Sequence, residues 1–266
     1  MGESFRRNAR ILSSSEKSCQ PFNLQARFIL FRLRGVPFVH RLSLLCLLLG
    51  TACIAQTSPP APSNSAEADF AQAARYRHAN EQLSAEVVFL GDSILDYWGS
   101  REGTWFTYPG WINRGIGGQT TQQMLLRERH DALNLHPKAI VLEGGGNDMR
   151  LGFSPEEIRD NFLTMGELAA SHGIRVYVAE MTPVCDCVRP LTGLRTVARI
   201  RQLNDLLAAM CKEKHWDLLR FNAPLADANG LMRAELTVDG VHPKAAGYAL
   251  LAPIVEQALA GYRKSR

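Results

Sequence analysis

Val87-Val88-Phe89-Leu90 is an unbroken apolar run of four residues closed by Gly91. It is too short to stand as a helix, and with no polar residue to face water it reads as a strand buried on both faces. Strands of that kind belong to parallel sheets covered by helices. The signature returns downstream at Ala139–Glu143, Ile174–Val178 and Trp216–Phe221. Helical patterns separate these runs. Ser154-Pro155-Glu156-Glu157 is a capping box with Pro at the first helical position, after which Ile158, Phe162, Met165 and Leu168 line one face until Gly173. Val197, Ile200, Leu203, Leu207 and Met210 form a second apolar stripe. The alternation predicts an α/β fold, a parallel sheet with helices on both faces, in a single domain. Ala-rich Glu67–Leu83, free of Gly and Pro, predicts a helix before the first strand.

The chain has 266 residues, 46% of them hydrophobic, enough for one core. Its net charge of +4 is inflated by basic residues from Arg6 to Arg41, ahead of the first apolar run. Beyond them the balance is near neutral, so charge gives no argument for a nucleic-acid partner. Leu42–Leu49 is too short to span a bilayer as a helix. Its Arg41 flank and small-residue exit, Gly50-Thr51-Ala52, fit a secretory signal. The forty-residue leader before it lacks the pattern of a domain, and a start of translation nearer Val36 or Val39 is one expectation. Cleavage falls either before Cys53, leaving a lipidated cysteine, or after Ala55. Residues 1–55 are therefore read as leader and signal, 56–66 as a Pro/Ser-rich spacer, and 67–262 as the folded domain. The reading is of an exported protein, periplasmic or secreted, with contact to a membrane only through an anchor at Cys53.

Ser93 lies just past the carboxyl end of the first strand, the edge of an open parallel sheet at which ligands bind. A serine there is either part of an ordinary turn or, with a base nearby, a nucleophile. Ile112–Thr121 follows an aromatic stretch and holds three glycines in four positions, Gly115, Gly117 and Gly118. A close backbone approach is expected there, with Thr120 or Thr121 capping the next helix. It is neither a dinucleotide fingerprint nor a phosphate loop. Ala139–Glu143 leads into Gly144-Gly145-Gly146-Asn147-Asp148, again glycines followed by a side-chain amide. In Asp239-Gly240-Val241-His242-Pro243 a carboxylate three residues before a histidine can reach its Nδ1 and leave Nε2 outward as a base. Between Asp96 and Trp111 lie Tyr97, Trp98, Trp105, Phe106 and Tyr108, readable as core packing around a loop or as a wall of a substrate cleft.

Four strand-end motifs thus supply a nucleophile, a base, an orienting acid and oxyanion donors, the parts of acyl transfer. In these blocks the chain resembles the SGNH (GDSL-type) hydrolases, most closely the bacterial esterases related to platelet-activating-factor acetylhydrolase. The likeness runs from about Glu86 to Leu259. Gly91-Asp92-Ser93-Ile94 matches the first block, with Ile94 where Leu is usual. Asn113–Gly118, Gly145–Asp148 and Asp239–His242 match the others. The resemblance implies a flavodoxin-like three-layer α/β/α fold with a five-stranded parallel sheet in the order 2-1-3-4-5. It implies a catalytic Ser93, Asp239 and His242, an oxyanion hole of the Ser93 and Gly118 N–H groups with the Asn147 amide, and no cofactor.

The activity expected is that of a serine esterase acting through an acyl-enzyme on a small-molecule ester. Short connections leave no room for a lid domain, so acetyl-type esters of carbohydrates or other polar alcohols are expected, with Trp98 or Trp105 near the leaving group. Lysophospholipase or thioesterase action, and acyl transfer to a sugar or lipid, would use the same parts. A non-catalytic binding module would keep the fold and lose one of them. No HExxH or Cys/His cluster offers a metal site. Cys185, Cys187 and Cys211 are expected as buried free thiols, the one-residue gap in Cys-x-Cys being unfavourable for a bridge.

Overall fold

A computed structural model describes residues 69–263. The leader, the signal segment, Cys53 and the 56–66 spacer lie outside the described residues. Among the described residues, no helix is long and apolar enough to cross a membrane.

Five strands, β1 (Val87–Gly91), β2 (Trp111–Gly115), β3 (Ala139–Leu142), β4 (Arg175–Ala179) and β5 (Asp217–Leu219), form one sheet in the order β2-β1-β3-β4-β5. Every pairing is parallel. The register aligns Gly91 with Gly115 and Leu90 with Leu142, so the carboxyl ends of β2, β1 and β3 stop at one level.

The sheet is covered on both faces, as its apolar strands require. Val88, Leu90, Ile140, Leu142, Val176 and Val178 point to one side. There they meet α3 (Thr121–Asp131), α5 (Pro155–Ser171) and α6 (Val197–Lys214) through residues such as Met124, Phe162 and Leu203. Val87, Phe89, Val141, Tyr177 and Leu219 point to the other side. They pack on α2 (Ser93–Tyr97), the aromatic 98–111 loop and α7 (Ala245–Ala258) through Leu95, Trp98, Tyr248 and Leu251. The short α4 (Gly146–Arg150) follows β3. The capping box read at Ser154 and Glu157 forms, with Glu157 N–H donating to Ser154 Oγ at 3.2 Å, and Thr120 and Gln123 make a second at the start of α3.

Two expectations need correction. Residues 69–83 do not form one helix; only α1 (Arg77–Asn80) is helical. Asp69 accepts from the Ala73 and Ala74 N–H groups at 2.7 and 3.0 Å, and Gln72 takes a left-handed conformation with φ of 51°. A local side-chain cap thus competes with the helix that alanine content favours. Second, Cys185 and Cys187 form a disulfide, leaving Cys211 as the free cysteine among the described residues. Their Cα atoms lie 5.3 Å apart because the loop bends at Asp186, within the span a disulfide bridges. Cys211 is buried as expected, and burial pushes its thiol up to about 12.

Glu128 on α3 is fully buried, and neither carboxyl oxygen has a hydrogen-bond partner among the described residues. Burial pushes its pKa up to about 8, against the pull of Arg129. A carboxyl whose pKa is raised by folding contributes stability that is present below its unfolded value and lost as pH rises through the folded one. The melting temperature should therefore fall between pH 5 and pH 8 more steeply in the native chain than in Glu128→Gln, with the variant the more stable at pH 8. Parallel curves in thermal unfolding across that range would contradict this account.

Candidate active site

Ser93 is the first residue of α2, directly after β1, and Asp92 caps that helix by accepting from Ile94 N–H at 2.9 Å. The cap fixes how the chain leaves the strand and so where the hydroxyl points. Ser93 Oγ lies 2.9 Å from His242 Nε2, and His242 Nδ1 lies 2.9 Å from Asp239 Oδ2. The structure thus brings together the serine of the first block and the acid and histidine of the last, 149 residues apart in sequence.

The Asp-x-x-His spacing works because the turn is closed by its own bonds. Asp239 Oδ1 accepts from the N–H groups of Val241 and His242, each at 3.0 Å. Thr237 Oγ1 accepts from Gly240 N–H at 2.9 Å and donates to His242 O at 2.9 Å. Gly240 adopts φ of 92°, and a Cβ there would meet Cys185 O at 2.5 Å, so this position requires glycine. Burial works against the Asp239 carboxylate, but bonds from the His242 N–H, its imidazole and the Val241 N–H outweigh it and hold the pKa below the ordinary value. An ionised carboxylate behind Nδ1 orients the ring and fixes its tautomer.

The serine faces a cavity of about 420 Å³ lined also by Gly118, Asn147, Tyr97, Met181, Leu191 and three arginines, Arg150, Arg189 and Arg195. Gly118 has φ of 84° and open space where a Cβ would lie. The preceding Gly117 N–H is taken by Asp96 Oδ2 at 2.8 Å, whereas the Gly118 N–H has no partner among the described residues. Asn147 Nδ2 donates to Gln119 O at 2.9 Å and, more weakly, to Asp92 Oδ2 at 3.4 Å, which fixes its amide beside the serine. Gly118, Asn147 and Ser93 therefore line one wall of one cavity. Among the described residues, no group of His, Cys, Asp and Glu is placed to hold a metal ion.

Trp98 and Trp105 are not where the sequence reading put them. Neither lines the cavity. Trp98 is buried, its indole N–H bonded to Thr104 O at 3.1 Å and its ring 4.9 Å from Tyr248. Trp105 packs edge-on against Phe89 and Trp98 at 5.0 and 5.8 Å. The aromatic stretch is core packing, because its rings face the sheet. The aromatic that does reach the site is Tyr97, whose ring centroid lies 4.6 Å from that of His242.

Sequence reasoning also missed the groups beneath the serine. Glu143 at the end of β3 is buried beside Asp92, whose N–H points to Glu143 Oε2 at 3.4 Å. Burial, then the neighbouring Asp92 charge, raises the Glu143 pKa well above the ordinary value. Burial likewise raises Asp92 to about 6, against the bond from Ile94 N–H. Burial thus disfavours charge on both carboxyls, while Asp92 is the acceptor that caps the serine helix. Glu143 gave no signal because an acid at the end of an apolar strand reads as the strand's exit to solvent.

The GDSL-like Lipase/Acylhydrolase family matches residues 89–250 of the chain. The chain is 27% identical over 132 residues to esterase TesA of Pseudomonas aeruginosa, covering 50% of this chain and 60% of that one. It is 31% identical over 81 residues to the uncharacterized lipoprotein YqeF of Bacillus subtilis, covering 28% and 33%. The matched part thus spans between a third and three-fifths of these curated relatives. Among solved structures, a GDSL-like lipase from Bacteroides thetaiotaomicron is 29% identical with a TM-score of 0.66, covering 72% of this chain and 98% of that one.

Proposed function

This chain belongs to the GDSL-like lipase/acylhydrolase family, and on that footing we propose that it is a serine esterase hydrolysing acetyl-type carboxylic esters of carbohydrates or other polar alcohols. One observation carries the reading: the continuous chain Ser93 Oγ–His242–Asp239, with both contacts at 2.9 Å, opening onto a cavity that also presents Gly118 and Asn147.

In this mechanism His242 Nε2 takes the Ser93 proton as Oγ attacks the ester carbonyl, and Asp239 stabilises the imidazolium that results. The N–H groups of Ser93 and Gly118 and the side-chain amide of Asn147 receive the oxyanion. Loss of one such donor costs about 3–4 kcal/mol of transition-state stabilisation. The tetrahedral species collapses, the C–O bond to the alcohol breaks, and the alcohol leaves with the proton from His242. Water then gives its proton to His242, attacks the acyl-serine, and releases the acid.

The short-acyl preference rests on what lines the cavity. Ile94, Met181, Val184, Pro190, Leu191 and Val241 offer apolar surface there, but Asp92, Asn147 and the arginines interrupt it. Each buried CH₂ of an acyl chain is worth only about 0.8 kcal/mol, and only where it meets apolar surface. Export is proposed as well: it rests on the Leu42–Leu49 signal, and a relative named as a lipoprotein is consistent with it.

Ser93→Ala should lower kcat by at least about a thousandfold with the fold intact, as in other serine triads. Asp239→Asn should cost less than His242→Ala, since it misorients a base that is still present; the reverse order in steady-state kinetics would mean that the roles are misassigned. Nitrophenyl esters of increasing chain length test the specificity, with kcat/KM highest for acetate and butyrate. A rise toward octanoate would overturn the short-acyl reading.

A further inference from the structure

Three arginines face the catalytic cavity from two segments of the chain. Arg150 ends α4, three residues after Asn147, while Arg189 and Arg195 come from the 182–196 loop. Among the described residues, none of the three forms an ion pair. Other arginines of the domain do: Arg127 pairs with Asp131 at 3.0 Å, Arg175 with Asp217 at 2.7 Å and Arg220 with Glu180 at 3.0 Å.

Arg195 is the informative member. It is 6% exposed, yet its guanidinium makes a single hydrogen bond among the described residues, from Nε to Gly146 O at 2.8 Å. That bond pins the guanidinium beside the Asn147 loop and leaves both terminal amines for a ligand. Burying a cation without a counter-charge is costly. Burial lowers the Arg195 pKa and the nearby Arg150 and Arg189 lower it further, although Asp92 and Asp239 act in the opposite sense. The carboxylates around the cavity do not neutralise the cluster. Asp239 is bonded to His242, and Asp92 caps the serine helix beside Glu143, so none of them pairs with an arginine of the cluster.

The loop that carries two of the arginines is built to hold its shape. Asp186 Oδ1 accepts from the N–H groups of Leu191 and Thr192 at 2.6 and 2.7 Å, closing a turn around Arg189. Cys185 N–H donates to Gly240 O at 2.9 Å, tying the loop to the Asp239–His242 turn. The backbone that carries Arg189 and Arg195 is therefore held relative to the catalytic histidine, and the Arg195 guanidinium is pinned as well, which suits recognition of an anion by a planar guanidinium.

We propose that the substrate is an acetyl-type ester of an alcohol that itself carries a carboxylate, held by Arg150, Arg189 and Arg195. This rests on the short-acyl esterase reading: an acetyl group bears no charge, so the anion that these arginines bind belongs to the alcohol. A cavity of about 420 Å³ is far larger than an acetyl group fills, and the three arginines are among the residues that line it.

The test compares kcat/KM for 3-acetoxybenzoate and 3-acetoxybenzamide, esters that differ by one charge. The ratio is measured in the native enzyme and in the double variant Arg150→Gln/Arg189→Gln, whose altered residues are exposed in the fold. Taking the ratio in each protein removes the intrinsic difference in reactivity between the two esters. The benzoate-to-benzamide ratio should fall by about tenfold or more in the variant, the loss expected for a charge-assisted hydrogen bond. In the native enzyme that preference should also weaken as salt is added. Hydrolysis of both esters with the same ratio in both proteins would overturn the anionic-alcohol proposal and leave the esterase reading standing. Hydrolysis of neither ester by the native enzyme would overturn the esterase reading and the proposal with it.

Discussion

The guanidinium of Arg127 is fully buried and divided among three oxygens. It donates to Gly91 O at 2.9 Å and to Gln119 Oε1 at 2.5 Å, and it pairs with Asp131 one turn further along α3 at 3.0 Å. Gly91 is the last residue of the strand that delivers Ser93. Gln119 follows Gly118, and its own carbonyl accepts from Asn147. One side chain thus connects the strand that leads to Ser93, the glycine-rich loop and, through Gln119, the amide of the third motif. Burying an ion pair is seldom a net gain in stability over apolar packing. What this one provides is position. Gly91 O accepts from Ile116 N–H as well, at 3.0 Å, so Arg127 takes its second acceptor site while satisfying the buried Gln119 Oε1 beside a positive-φ glycine.

A second layer of polar contacts works on the same edge of the sheet. Asp148 accepts from Thr121 N–H at 3.0 Å and from Thr121 Oγ1 at 2.6 Å, joining the Asn147 turn to the start of α3. Tyr248 Oη donates to Ile94 O at 2.8 Å, joining α7 to the serine helix. Each motif is therefore braced by a neighbouring motif rather than by its own loop alone. That arrangement follows from parallel topology. Successive strands end on one side, their loops crowd together, and the buried backbone groups there must find partners among side chains.

Much of this was legible in the sequence, for reasons that can be stated residue by residue. The central strands Val87–Gly91 and Ala139–Glu143 were visible because they are apolar without interruption and end in glycine or acid, whereas the Asn113 and Arg114 of Trp111–Gly115 hid that edge strand in a glycine-rich stretch. Strand order 2-1-3-4-5 came through the family resemblance, since nothing in the alternation of elements decides order. Ser93, Gly118, Asn147, Asp239 and His242 were found because each sits in a short motif with its own turn chemistry. Arg127 and Arg195 were not: Arg127 with Asp131 four residues on reads as a solvated pair on a helix face, and the partners Gly91 of Arg127 and Gly146 of Arg195 lie 36 and 49 residues away. The tryptophans misled for the opposite reason: aromatic density marks both clefts and cores, and only the direction of the rings relative to the sheet separates them. Helix content ahead of β1 was overstated because propensity ignores a cap such as Asp69 that closes a shorter turn.

The central claim is that Ser93, activated by His242, becomes covalently acylated. Mass spectrometry of protein quenched in acid during turnover of an acetyl ester tests it most directly. The account predicts one acetyl group on the peptide containing Ser93, and none on that peptide in His242→Ala. Rapid turnover with no acetylated serine at any quench time, or acetyl found on another residue in its place, would contradict it.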